Sequence, residues 1–130
     1  MSLSLHREKL WIQHIFDEAA SEYGKAGCGY FQHFGHSLVD FSEVKPGADV
    51  LDVATGKGAV LFPLIDCLGS RGSINGIDLS KNMVHETSMQ LEKEGKHWVS
   101  IQQMDAENLD FSDCSFDFVF CGFALFFFHL

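Results

Sequence analysis

The stretch Asp49-Val50-Leu51-Asp52-Val53-Ala54-Thr55-Gly56-Lys57-Gly58-Ala59 constrains this chain more than any other. It reads as a short buried strand, a glycine-bearing turn and the opening of a helix. Glycine carries no Cβ, so a backbone there can come close to a nucleotide-like ligand. Asp52 sits on the strand side, four residues before Gly56. A carboxylate at that place suits a cationic or hydroxyl-bearing ligand better than a pyrophosphate.

Strand–helix alternation continues from there. The first strand covers about 49–53. A helix over about 58–68 is closed by Gly69, and Pro63, about one turn in, should kink it or delay its start. A second strand covers about 73–77. Ser80 is a good N-cap for a helix that carries Met83, Thr87 and Leu91 on one face and stops at Gly95. A third strand covers about 98–102. Residues 103–115 read as a connection without a long helix, leading to a fourth strand over about 116–121. That strand is apolar at consecutive positions (Phe118, Val119, Phe120, Cys121), which suits a strand covered on both faces. The pattern predicts an α/β fold, a Rossmann-like, doubly wound and mostly parallel sheet. Upstream, residues 5–23 place Ile12, Phe16, Ala19 and Tyr23 on one helical face, and Tyr30, Phe34, Leu38 and Phe41 mark a second. Gly24 to Gly29 separates the two, and Pro46-Gly47 is a turn. The expected organisation over 1–130 is one domain: a helical cap (1–45) on a sheet half (46–130).

Composition narrows the partners. With 130 residues at 46% hydrophobic, the chain can build a core. Its net charge of −9 argues against a nucleic-acid binder, which normally carries a basic patch. Cys28, Cys67, Cys114 and Cys121 form no C-x-x-C pair, which points to reduced thiols and a cytoplasmic setting. Met1 to Lys9 shows no signal-peptide core. The longest apolar run, Phe118 to Phe128, is shorter than the about 20 residues that span a bilayer. His33 and His36 are spaced as helical metal ligands can be, but no third ligand accompanies them, so no metal centre is expected.

Three carboxylates fall at the carboxyl ends of three predicted strands, where ligands bind in open α/β sheets. Asp52 precedes the glycine turn. Asp78 ends the second strand, twenty residues after Gly58, where a carboxylate can accept from both ribose hydroxyls. Asp105 follows the third strand, where it could accept from an adenine amino group. A dinucleotide site is the weaker alternative, because Gly56-x-Gly58-x-x-Leu61 lacks the third glycine and Ala54-x-Gly56-x-x-Ala59 is only a loose match.

With these residues in place, the chain resembles the class I S-adenosylmethionine-dependent methyltransferases. It is most similar to the branch of quinone-biosynthesis C-methyltransferases and other small-molecule methyltransferases. Val50 to Gly58 is similar to that family's first motif. Gly76-Ile77-Asp78-Leu79-Ser80 with Met83 resembles the second, Asp105-Ala106-Glu107-Asn108-Leu109 the third, and Ser115 to Cys121 the fourth. Phe16 to Tyr23 is similar to the helix that caps the pocket in that branch. The resemblance covers roughly residues 12–130. Each motif alone is weak, but four in order at fitting spacings are specific.

The resemblance implies S-adenosylmethionine as cofactor and methyl transfer to a C, N or O nucleophile of a small molecule. Gly56 and Gly58 would admit the methionine part, with Ala54 standing where the family often has glycine. Asp52 would order that turn and the ligand's amino group. Asp78 would take the ribose hydroxyls, and Leu79 and Met83 would pack near the adenine. Asp105 would accept from the adenine amine, and Ala106 would donate a backbone N–H to the ring. Cys121 and Gly122 would line the methionine end. Tyr23, Tyr30, Phe31 and Phe123 could hold a cationic donor or a flat acceptor. Phe126 to Phe128 fit an acceptor pocket or core equally well, and His129 could serve as a base. Family domains continue past the fourth strand with about three more strands. This sequence stops at Leu130, so a fragment truncated after strand four is expected, and strand four would then be an open, phenylalanine-rich edge that raises the prospect of self-association. A cofactor-binding module without catalysis, completed by a partner chain, is the alternative expectation.

Overall fold

The computed structural model describes residues 3–23, 25 and 29–128. Two helices come first, α1 (Leu3–Ala19) and α2 (Tyr30–Ser42), followed by β1 (Asp49–Val53), α3 (Leu61–Leu68), β2 (Ser73–Asp78), α4 (Lys81–Lys93), β3 (Val99–Gln103) and β4 (Phe118–Phe120). A single 3-10 turn covers Leu125–Phe127. The strands form one parallel sheet in the order β3-β2-β1-β4. The chain thus winds outward from β1 in one direction and returns to its other side with β4. That reversal beside β1 opens the crevice in which α/β sheets bind ligands.

Side-chain alternation divides the core between the sheet's two faces. Val50, Ile74 and Phe120 join Leu61, Leu64, Ile65 and Leu68 of α3, Val39 of α2 and Leu91 of α4. Leu51, Val53 and Ile77 point the other way, against Met104, Phe111, Phe116 and Phe128 from the connections. β4 is shorter than the sequence suggests and is not covered on both sides. Val119 is 61% exposed on the face that it shares with Leu51, while Phe120 on the opposite face is buried in the core.

Pro63 delays its helix, as expected. Residues 58–60 form a turn, α3 starts at Leu61, and Pro63 lies in the first turn, where its missing N–H leaves no helical bond unmade. Ser80 caps α4: its hydroxyl accepts from the Met83 amide at 3.1 Å, and Met83, Thr87 and Leu91 are all buried. No helix spans the β3–β4 connection. The first helix is shorter than read, ending at Ala19, with turns to Tyr23. The apolar face read for α2 needs correction. Of that face only Leu38 packs, half-buried, against the core; Tyr30, Phe34 and Phe41 are exposed, while Gly35 and Val39 are the buried pair. α2 packs through the stripe with the smallest side chain because it lies directly on the backbone of the glycine turn. A Cβ at Gly35 would come 1.8 Å from the Ala59 carbonyl oxygen. Among the described residues no helix is long and apolar enough to cross a membrane. Cys67, Cys114 and Cys121 are free thiols; Cys28, Gly24 and His129 lie outside the described residues.

Candidate functional site

The loops that leave β1, β2 and β3 converge on a cleft of about 470 Å³ beneath α1 and α2. That size falls within the roughly 300–1,000 Å³ of small-molecule sites. One wall is the turn after β1. The Thr55 amide donates to the Ile77 carbonyl at 2.9 Å, and the Gly58 amide to the Thr55 carbonyl at 2.8 Å. Ala54 (φ 55°) and Gly56 (φ 53°) both adopt the left-handed region. Open space surrounds the place where a Cβ of Gly56 would sit, so the backbone itself forms the cleft wall. The Thr87 hydroxyl donates to the Gly56 carbonyl at 2.6 Å, and Lys57 pairs with Glu86 at 3.1 Å. α4 therefore holds the turn from its far side.

Asp78 links the turn to β2. Its Oδ2 accepts from the Gly56 amide at 2.8 Å and its Oδ1 from the Ser80 amide at 2.9 Å. The carboxylate is part of the cleft wall. Burial pushes its pKa up, hydrogen bonds from the Ser80, Gly56 and Leu79 amides work against that rise, and the charge of Asp17 adds to it. Such a group can accept hydrogen bonds from a ligand in the cleft.

The β3 side of the cleft presents Leu79, Met83, Met104, Asp105, Ala106 and Glu107. Asp105 Oδ1 accepts from the Glu107 amide at 2.9 Å and Oδ2 from Lys9 Nζ of α1 at 2.7 Å; Lys9 also pairs with Glu107. Burial alone would raise Asp105, but the hydrogen bonds from Lys9 and the Glu107 amide hold it below the usual carboxylate range. On the remaining side stand Gly122, Phe123, Ala124, Phe127 and Phe128, with Phe16, Tyr23 and Phe31 from the cap. Tyr23 stacks on Phe31 at 5.5 Å, and Phe31 meets Phe123 edge-on at 5.0 Å.

Nine of the eleven residues singled out from the sequence form the cleft wall: Ala54, Gly56, Gly58, Asp78, Leu79, Met83, Asp105, Ala106 and Gly122. The other two stand behind it. Asp52 is fully buried and accepts from the Thr55 hydroxyl at 2.7 Å. Cys121 is half-buried; burial and the Asp52 charge push its thiol pKa up, against a hydrogen bond with the Ala124 backbone. Of the even choice at Phe126 to Phe128, Phe127 and Phe128 face the cleft and Phe126 is 76% exposed. Sequence reasoning missed Lys9, Thr55, Gln32 and Glu107. Thr55 and Glu107 lie inside quoted motifs and could have been found. Lys9 meets partners 96 and 98 residues away, a pairing that no local pattern signals.

Asp52 also makes a pH prediction. Burial pushes its carboxyl up to about 7; the Thr55 hydrogen bond opposes the rise and the Asp78 charge adds to it. In the unfolded chain an Asp ionises near about 3.9. Between those values the folded protein binds the extra proton, so stability falls as pH rises and levels off above about 7. Asp52→Asn, neutral at every pH, is expected to melt progressively higher than the wild type from pH 4.5 to 8 (about 1.4 kcal/mol per unit at most). Parallel melting profiles would contradict an ionising, buried Asp52.

The fit to known proteins follows the same elements. Residues 3–129 match the model of the ubiE/COQ5 methyltransferase family. The chain is 36% identical over 119 residues to aklanonic acid methyltransferase DauC of Streptomyces sp. (strain C5), covering 92% of this chain and 54% of that protein. It is 38% identical over 118 residues to a demethylmenaquinone methyltransferase of Bacillus velezensis, covering 88% of this chain and 51% of that protein. The chain thus spans about half the length of these relatives. The crystal structure of a SAM-dependent methyltransferase from Aquifex aeolicus superposes with a TM-score of 0.61 at 28% identity, over 67% of this chain and 46% of that one. With a matching family model along nearly its whole length, and the four-stranded sheet and glycine turn to go with it, the chain belongs to the ubiE/COQ5 methyltransferase family.

Proposed function

We propose that the cleft binds S-adenosylmethionine and that the protein transfers its methyl group to a small-molecule acceptor. One observation carries the reading: the Asp78 carboxylate, held through both oxygens by backbone amides and facing the cleft, stands beside an open glycine turn. That donor–acceptor chemistry fits a ribose diol with an extended amino-acid tail. Gly56 and Gly58 border the tail, while Asp52 orders the turn through Thr55. Leu79 and Met83 pack against the adenine, Asp105 accepts from its amine, and the Ala106 amide donates to the ring. Gly122 borders the methionine end, with Cys121 behind it.

When bound, the cofactor supplies an electrophilic sulfonium methyl that needs no metal to react. The chain's own contribution is positioning, which can account for a large part of a rate enhancement. The aromatic group of Tyr23, Phe31 and Phe123 offers a surface to a flat or apolar acceptor and shields the cation from water. Relatives named for aklanonic acid and demethylmenaquinone support a small organic acceptor with a C, N or O nucleophile. The acidic chain, at −9, speaks against a nucleic-acid substrate. Free thiols accord with a cytoplasmic setting. Cap 1–45 and sheet half 46–130 work as one cofactor-binding domain, and β4, an edge of the sheet among the described residues, offers a surface for self-association.

Incubation with methyl-labelled S-adenosylmethionine and a panel of hydroxyaromatic and reduced quinone acceptors tests the activity. Label in an acceptor, in proportion to protein and absent with Asp78→Ala, is the expected result. A chain that binds the cofactor yet labels no acceptor would reduce the function to binding.

A further inference from the structure

α1 lies along the cleft without a single fully buried side chain of its own. Polar anchors and the Phe16 ring are among the contacts that hold it. Near its carboxyl end, Asp17 Oδ1 accepts from the Ser80 hydroxyl at 2.5 Å and the Asn82 amide at 3.0 Å, and the Asn82 side chain returns a bond to the Asp17 carbonyl at 2.9 Å. Phe16 meets Phe127 edge-on at 5.4 Å. Eight residues earlier, about 12 Å along the helix, Lys9 reaches the loop after β3 and pairs with both Asp105 and Glu107. All three side chains are largely shielded, at 15% exposed for Lys9, 29% for Asp105 and 22% for Glu107. The ammonium thus bridges two carboxylates that both line the cleft.

We propose that Lys9 is a positioning residue for the adenine end: it latches α1 over the cleft and fixes the Asp105 carboxylate in the orientation that receives the adenine amine. This rests on the cofactor reading above. The Glu107 amide holds one Asp105 oxygen and Lys9 the other, so the carboxylate cannot turn. A second lone pair on the Lys9-bound oxygen stays free to accept. A neutral amine can share that oxygen with the ammonium, whereas a cationic group there would meet Lys9 repulsion. Because the anchor is ionic and only partly shielded, salt should loosen it.

Two readouts test the latch. In the ligand-free chain, amide hydrogen exchange over residues 3–19 should quicken in Lys9→Gln and be restored in Lys9→Arg. Moderate salt should quicken it in the wild type but not in Lys9→Gln. The Kd for S-adenosylhomocysteine should rise roughly tenfold in Lys9→Gln, the scale of a partly exposed charge-assisted bond, and recover within about threefold in Lys9→Arg. If the wild type binds no S-adenosylhomocysteine, the cofactor reading fails while the exchange experiment still decides the latch. Unchanged exchange in Lys9→Gln would overturn the latch. Unchanged or tighter binding in that variant would overturn the positioning role, and tighter binding would show Lys9 competing with adenine.

Discussion

Asp78→Ala should weaken binding of S-adenosylhomocysteine by about 10²–10⁴-fold. The substitution removes two acceptors for the ribose hydroxyls, and a hydrogen bond to a charged group contributes about 1.5–3 kcal/mol. It also strips the Gly56 and Ser80 amides of their partner, so the glycine turn keeps only the Thr55–Ile77 backbone bond of those described to β2. Asp78→Asn keeps the shape and one acceptor oxygen and should lose less, on the order of 10–100-fold. Calorimetric titration gives both values, and circular dichroism confirms that each variant is folded. A folded Asp78→Ala within about threefold of the wild-type Kd would remove Asp78 from the site.

The second large effect is structural. Gly35→Ala places a methyl group 1.8 Å from the Ala59 carbonyl oxygen and 2.6 Å from its carbon. Both are backbone atoms of the turn and cannot rotate away. Alanine is the better helix former by about 1 kcal/mol, so propensity alone would stabilise. Overlap at that distance outweighs it, because α2 or the turn must shift as a unit, at about 2–3 kcal/mol net. For a chain of this size, that corresponds to a Tm lower by roughly 10 °C. Since the displaced turn carries Gly56 and Gly58, ligand binding should weaken as well. Asp40→Ala, on the exposed side of the same helix, is the control and should melt near the wild type. If Gly35→Ala melts no lower than this control, α2 does not rest on the turn.

The contrast between Asp78 and Gly35 marks what could be read from the sequence. Asp78 was legible because its work is local: it ends a strand, at a fixed distance from a glycine turn, and that spacing has a chemical reason. The four parallel strands, the Ser80 cap and the delay at Pro63 were legible for the same reason, since period, capping and proline geometry act within a few residues. Gly35 could not be read that way. By periodicity Tyr30, Phe34 and Phe41 are the obvious buried face of α2, and burial area alone favours them. Close approach of two backbones decided otherwise, and the residue that permits it has no side chain to show. Lys9 was hidden differently, as an ordinary helix lysine until the loop after β3 folds beneath it. β4 misled through its phenylalanines, which fit a strand covered on both faces, although Val119 is exposed.

The most direct measurement is a calorimetric titration of the folded chain with S-adenosylhomocysteine and, under the same conditions, with NAD. One equivalent of S-adenosylhomocysteine bound per chain, with no heat from NAD, is the predicted result. A folded chain that takes up NAD in preference, or neither ligand, would contradict a cofactor site built on Asp78 and the Gly56 turn.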